Sequence, residues 1–344
     1  MNILVIAPSW VGDMVMSQSL YSELKKLHPK ASITVLAPKW AKPILDRMPE
    51  VDESLEMPLT HGEFNVGKRL NIGKQLKRYK FTHAYILPNS AKSALIPFFA
   101  RIPKRTGWKG EFRYGLLNDL RKDKRIFQYM VERYVALAYP TESMREKVKL
   151  EQCAKPNLVV DEENKQRTLT NLGLSLNKEA VGICPGAEFG PAKRWPDKHY
   201  AQVAQKLLED GKQVWIFGSE NDRGVGQLIR DALPESLKPF CVNLAGRTKL
   251  TEALDLLSVC KTVVSNDSGL MHISAAVGCN VVAIYGSSSP NYTPPLTHKL
   301  QIVHTSEECR PCFKRECPLG HLNCLNKLPP AKVIDAVNCF ERKT

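Results

Sequence analysis

What this chain of 344 residues lacks narrows its class before any motif is read. No apolar run approaches the roughly 20 residues that span a bilayer, which excludes a transmembrane helix. The amino terminus, Met1-Asn2-Ile3-Leu4-Val5-Ile6-Ala7-Pro8, has no basic segment and reads as a first strand rather than a signal peptide, so a cytoplasmic protein is expected. Neither Gly-x-Gly-x-x-Gly nor Gly-x-x-x-x-Gly-Lys-Ser/Thr occurs, and dinucleotide oxidoreductases and P-loop enzymes lose weight accordingly. No Asp-x-Asp pair stands near a strand end. The usual metal-dependent way of stabilising a nucleotide leaving group is therefore missing, and helix N-termini and cationic side chains are left to do it. Low-complexity segments and solenoid-like repeats are absent too.

Acidic residues are few beside basic ones: 35 Asp/Glu against 49 Lys/Arg, a net charge of +14. The excess is uneven. Residues 1–165 hold 28 basic and 18 acidic residues, and within them residues 65–125 hold 16 and 3. Such a field draws a polyanion, be it nucleic acid, an anionic membrane surface or a phosphorylated acceptor. The plain alternative is a solvated basic surface kept for solubility.

What is present is strand and helix alternation twice over. In the first half, Asn2 to Ala7, a helix carrying Leu20, Leu24 and Leu27 on one face, Ser32 to Ala37 and Ala84 to Leu87 follow one another. In the second, Val181 to Cys184, Gln213 to Phe217, Thr262 to Val264 and Val281 to Tyr285 repeat the scheme, and a helix over Pro330 to Phe340 closes the chain. Lys149 to Thr170, polar and weakly periodic, reads as a linker. The expected fold is α/β: two doubly wound Rossmann-like domains facing across a cleft, residues 1–165 and 166–329, followed by a closing helix, 330–344.

Two segments carry most of the chemistry: Pro185-Gly186-Ala187-Glu188-Phe189-Gly190-Pro191-Ala192-Lys193-Arg194-Trp195-Pro196 and Asn266-Asp267-Ser268-Gly269-Leu270-Met271-His272. Each follows a strand-like run and precedes a helix-like pattern, the place where open α/β sheets bind ligands. Small residues let backbone N–H groups approach a pyrophosphate, and Lys193 and Arg194 can offset charge on a departing phosphate. Glu220 and Asp222, beyond the strand ending at Phe217, suit ribose hydroxyls or, equally, helix capping. His272 either faces the cleft or packs. Asp13, in Pro8-Ser9-Trp10-Val11-Gly12-Asp13 after the first strand, reads as a carboxylate general base or as an N-cap.

Six of the ten cysteines are scattered singly in or beside apolar segments, as buried reduced thiols would be. The other four form Cys309-x2-Cys312-x4-Cys317-x6-Cys324, with His321 inside the last gap. That density suits a structural zinc site of four cysteines, or of three with His321, clamping its segment far from the chemistry. Free thiols and disulfides are the alternatives.

The chain resembles the ADP-heptose:lipopolysaccharide heptosyltransferase family, and its type II members in particular. The resemblance rests on Pro8 to Asp13, Pro88-Asn89-Ser90 with Lys92-Ser93-Ala94, Arg105-Thr106-Gly107-Trp108, Gly186 to Pro196 and Asn266 to His272. It covers the first strand to about Pro295, and the Gly186 to Pro196 motif is highly specific. It implies a GT-B fold, an ADP-heptose donor, and inverting transfer without a catalytic metal onto the first heptose of a lipid-linked core. Asp13 matches the family's base, Lys193 the cation beside the donor phosphates, and Asp267, Ser268 and Gly269 the phosphate-binding turn. The cysteine-rich tail departs from many members, so its role is not inherited.

The combined expectation is a glycosyltransferase. Asp13 and Lys193 are catalytic; Gly186, Glu188, Arg194, Glu220, Asp267, Ser268, Gly269 and His272 bind the donor with Lys193; Asn89, Ser90, Lys92, Lys104, Arg105 and Lys109 bind the acceptor. No cofactor is expected for catalysis and no nucleic acid as a partner. Location is cytoplasmic, peripheral at the inner membrane. Another heptosyltransferase, a nucleotide-sugar epimerase and a non-catalytic nucleic-acid-binding protein are the alternatives.

Overall fold

A computed structural model describes residues 1–60 and 62–342. The chain divides into two units, Met1–Pro156 and the chain from Asn157 onward. The first contains strands β1 (Asn2–Ile6), β2 (Ser32–Ala37), β3 (Glu53–Glu56), β4 (His83–Ile86), β5 (Lys104–Trp108) and β6 (Asp119–Arg121). They pair in the order β3-β2-β1-β4-β5-β6, every pair parallel. The second contains β7 (Ala180–Cys184), β8 (Gln213–Ile216), β9 (Cys241–Asn243), β10 (Thr262–Asn266), β11 (Asn280–Ile284) and β12 (Leu300–Val303), again all parallel, in the order β12-β11-β10-β7-β8-β9. Counted within its own unit, each sheet has the doubly wound order 3-2-1-4-5-6.

The central strands are largely apolar and buried because helices cover both faces of a parallel sheet. Leu4, Ile6, Ala84 and Ile86 centre one core, and Val181, Ile183, Val264, Val282 and Ile284 the other. Each sheet reverses its winding at one place, between β1 and β4 and between β7 and β10, and the carboxyl ends of those strands open a crevice there.

Half of the expected linker is a helix, Glu162–Leu172. Asp161 caps it by accepting the Asn164 amide at 2.9 Å, and Gly173 ends it in a left-handed conformation. Its buried side carries Asn164 and Thr168 beside Leu169. Asn164 Nδ2 donates to the wholly buried Asp255 at 2.6 Å, a polar seam that apolar periodicity does not register. The closing helix Pro330–Glu341 packs on the helix Asp197–Glu209 within the second unit. No helix among the described residues is long and apolar enough to cross a membrane.

Candidate active site

In the first unit, β1 runs through Pro8 and Ser9 into the helix Val11–Leu27. The helix starts with Trp10 as N-cap, so Asp13 lies inside the first turn and is not itself the N-cap. Its carboxylate Oδ1 accepts a 2.8 Å hydrogen bond from the phenol of Tyr134, a buried residue of the helix Met130–Val135, which packs on the Asp13 helix. Asp13 remains half-exposed at the switch point of the sheet. A carboxylate held by a tyrosine hydroxyl and still half-exposed fits a general base.

The loop after β4 forms the other lip of that crevice. Asn89 is exposed, and Ser90 precedes the helix Ala91–Phe99 without capping it through its side chain. Glu111 holds the helix instead, accepting the Ala91 amide at 2.9 Å. Lys104 and Lys109 are exposed, Lys104 lying 3.7 Å from Asp119. Arg105 is differently employed: Nε donates to the Leu116 carbonyl and Nη1 to that of Ile102, both at 2.7 Å.

Other cations of the basic stretch are also internal. Arg113 is 1% exposed and donates to the carbonyls of Trp108 and Pro88; burial lowers its guanidinium to about 10. Arg69 is buried with its guanidinium on the carbonyls of Phe64, Glu63 and Lys92. Buried Arg121 pairs with Asp119 at 3.0 Å. The charge count therefore overstates the free positive surface.

In the second unit the two motif loops leave β7 and β10 side by side. Asn266, wholly buried at the end of β10, joins them: Nδ2 donates to the Pro185 carbonyl at 2.6 Å, while Oδ1 accepts the Trp195 amide at 3.1 Å and the Tyr200 hydroxyl at 2.9 Å. Trp195 is buried edge-on against Tyr200 and anchors the far end of the loop. Gly186 admits no side chain, since a Cβ there would stand 2.5 Å from the Asp222 carboxylate. Asp222 is committed to its own turn, accepting both the amide and the hydroxyl of Ser219.

Lys193 Nζ sits 2.6 Å from Asp267 Oδ2 and 4.9 Å from the centre of the Phe189 ring. Arg194 donates to the Ala187 carbonyl at 3.1 Å. Ser268 opens the helix Gly269–Ala276 without a side-chain cap. Glu188 and Glu220 are exposed, Glu188 accepting from Ser219 at 3.4 Å and Glu220 pairing with Arg223 at 3.2 Å. His272 is buried, and desolvation lowers its imidazole to about 4, so it is neutral at physiological pH.

None of the ten cysteines is in a disulfide. Burial pushes Cys153, Cys241 and Cys279 up to about 12, as expected of inert core thiols. The cysteine-rich segment does not lie far from the donor loop. Ala192 donates its amide to the Arg315 carbonyl at 3.0 Å, and a Cβ on Gly190 would meet that carbonyl oxygen at 2.5 Å.

The crevices of two doubly wound units, one presenting a carboxylate and the other a cation beside a helix N-terminus, define a glycosyltransferase of the GT-B class. The chain matches the model of glycosyltransferase family 9 (heptosyltransferase) over residues 69–323, and it belongs to that family. It is 49% identical to lipopolysaccharide heptosyltransferase 2 of Escherichia coli K12, covering 99% of this chain and 98% of the relative. Identity to lipooligosaccharide heptosyltransferase 2 of Haemophilus influenzae is 50%, covering 98% and 99%. The solved structure of E. coli ADP-heptose LPS heptosyltransferase II superposes with a TM-score of 0.89 at 45% identity, covering 100% of both chains.

Tyr134, Asn266 and Tyr200 escaped the sequence reading as parts of this site. Tyr134 carries no motif and stands 121 residues from its partner. Asn266 lies in a recognised motif, but only the fold shows that its amide joins the two loops.

Proposed function

We propose that this heptosyltransferase moves L-glycero-D-manno-heptose from ADP-heptose onto the first heptose of the lipopolysaccharide inner core, with inversion. The observation that carries the mechanism is Asp13: a half-exposed carboxylate at the switch point of β1 and β4, in the first turn of its helix and oriented by Tyr134. The acceptor hydroxyl oxygen attacks the anomeric carbon, its proton passes to Asp13, and the bond from that carbon to the diphosphate oxygen breaks. ADP departs with the electron pair. Lys193, Arg194 and the amides opening the helix Gly269–Ala276 oppose its growing charge, an electrostatic role for which no catalytic metal is invoked.

The acceptor side is assigned to Asn89, Ser90, Lys92, Lys104 and Lys109, with Arg105 shaping the surface beneath them. Phe112 is 81% exposed and Tyr114 52%, beside Lys109, a mix of aromatic and cationic groups suited to the surface of an anionic membrane. Peripheral docking at the inner membrane follows from this reading. The test is ADP release from ADP-heptose with a panel of truncated core acceptors: turnover should require an acceptor ending in one heptose. Sugar isomerisation without any acceptor would point to an epimerase and defeat the proposal.

A further inference from the structure

The segment between β12 and the short helix Asn323–Asn326 has no core of its own. No residue from Ser306 to Leu322 is buried, and none lies in a helix or strand. Its path is nonetheless defined, with Phe313, Gly320 and Leu322 in left-handed conformations at φ of 55°, 72° and 51°. Two of these are not glycine, and each such turn needs something to hold it.

The four cysteines of this segment line one small cavity of about 20 Å³, room for a single water-sized or ion-sized occupant. One feature of its wall suits negative sulfur. Ser287, 1% exposed and lining the same cavity, has a hydroxyl with no hydrogen-bond partner. Four soft sulfur donors around one small cavity, with a hydroxyl left to donate, are the setting of a thiolate-bound cation.

We propose that Cys309, Cys312, Cys317 and Cys324 bind one zinc ion as a tetrathiolate. Soft thiolate donors and closed four-coordination select this ion. Four S–H bonds give up their protons to solvent and four Zn–S bonds form. Arg310 stands within electrostatic reach of Cys324 and Cys309 and offsets part of the resulting charge. His321 is not a ligand: its Nδ1 accepts the Asn323 amide at 3.0 Å, which places the ring proton on Nε2 and leaves no lone pair for an ion. Among the described residues no three His, Cys, Asp or Glu side chains are placed closely enough to hold an ion as they stand, so zinc must draw the sulfurs inward. The lack of buried packing from Ser306 to Leu322 leaves little to resist that closure. Closure fixes the Arg315 carbonyl, and with it the Ala192 amide of the donor loop.

The test uses full-length protein purified under reducing conditions. Metal analysis should find about one zinc per chain. Cys309, Cys312 and Cys317 are exposed or half-exposed and would react at once with a thiol reagent if free; they should be protected until a chelator is added, after which about four more thiols titrate. Cobalt exchanged into the protein should give the absorption of tetrahedral thiolate coordination. A Cys309→Ser/Cys312→Ser variant should lose the zinc; if it does not fold, thiol protection and the cobalt spectrum decide. Metal-free protein with immediately reactive thiols, iron in place of zinc, or zinc retained in the double variant would overturn the proposal.

Discussion

Lys193 and Asp267 form an ion pair at 2.6 Å between the loop after β7 and the loop after β10, with the lysine side chain 17% and the aspartate 4% exposed. The pair holds together the two lips of the donor crevice. A cation serving a diphosphate is thus already partnered, and its ammonium is placed by the carboxylate that neutralises it. Arrival of a diphosphate gives Lys193 a second anion, and the remaining ammonium protons are available to it.

Lys193→Ala should therefore do two things. Donor use should fall, and the protein should lose about 3 kcal/mol of stability, because the Asp267 carboxylate is left buried without its partner. A Lys193→Ala/Asp267→Asn double variant should regain most of that stability while donor use stays low. Denaturant titration and donor KM separate the effects; a double variant no more stable than Lys193→Ala would show that the pair does not hold the loops.

Tyr134→Phe removes the hydroxyl that donates to Asp13 Oδ1 while preserving the ring that packs in the core. Turnover should fall about tenfold, the scale of a lost hydrogen bond to a charged group, with donor KM unchanged. Steady-state kinetics of the folded variant check this. A change confined to donor KM would remove Tyr134 from the positioning of the base.

Within the basic stretch, the exposed lysines and the carbonyl-bound Arg105 should part company. Lys104→Ala/Lys109→Ala should weaken acceptor use and flatten its salt dependence with little loss of stability. Arg105→Ala should instead destabilise the first unit by about 1–3 kcal/mol, since two carbonyls lose their donor. Acceptor KM against ionic strength, beside thermal melts, distinguishes them; equal melting losses in both variants would contradict the division.

His272 gives a pH dependence of defined sign. Its folded value of about 4 lies below the unfolded 6.5, so between these values the unfolded chain binds the proton and the folded one does not. Stability is lost as pH falls from 6.5 toward 4, by about 3 kcal/mol in all. His272→Gln should flatten that part of the profile relative to the parent chain. Parallel profiles would mean that the imidazole is not buried in the neutral form.

Most of the central strands were legible because parallel strands covered on both faces read as short apolar runs, as in Ile3 to Ile6 and Val281 to Ile284. Glu53–Glu56 and Lys104–Trp108 were not, since charged residues dominate the first and open the second, and their place is set by pairing to neighbours. The donor motifs stood out through residue type and spacing. What spacing does not carry is the polar wiring: Asn266 to Pro185, Tyr134 to Asp13, and the carbonyls that turn Arg69 and Arg113 inward.

The assignment of Asp13 as the base is tested most directly by Asp13→Asn, with transfer of heptose from ADP-heptose to a one-heptose core acceptor measured beside donor affinity. Asparagine keeps the shape and the acceptor oxygen for Tyr134 but removes basicity. Turnover should drop by about 10² to 10⁴ with donor affinity little changed. Near-normal turnover in the folded variant would contradict it.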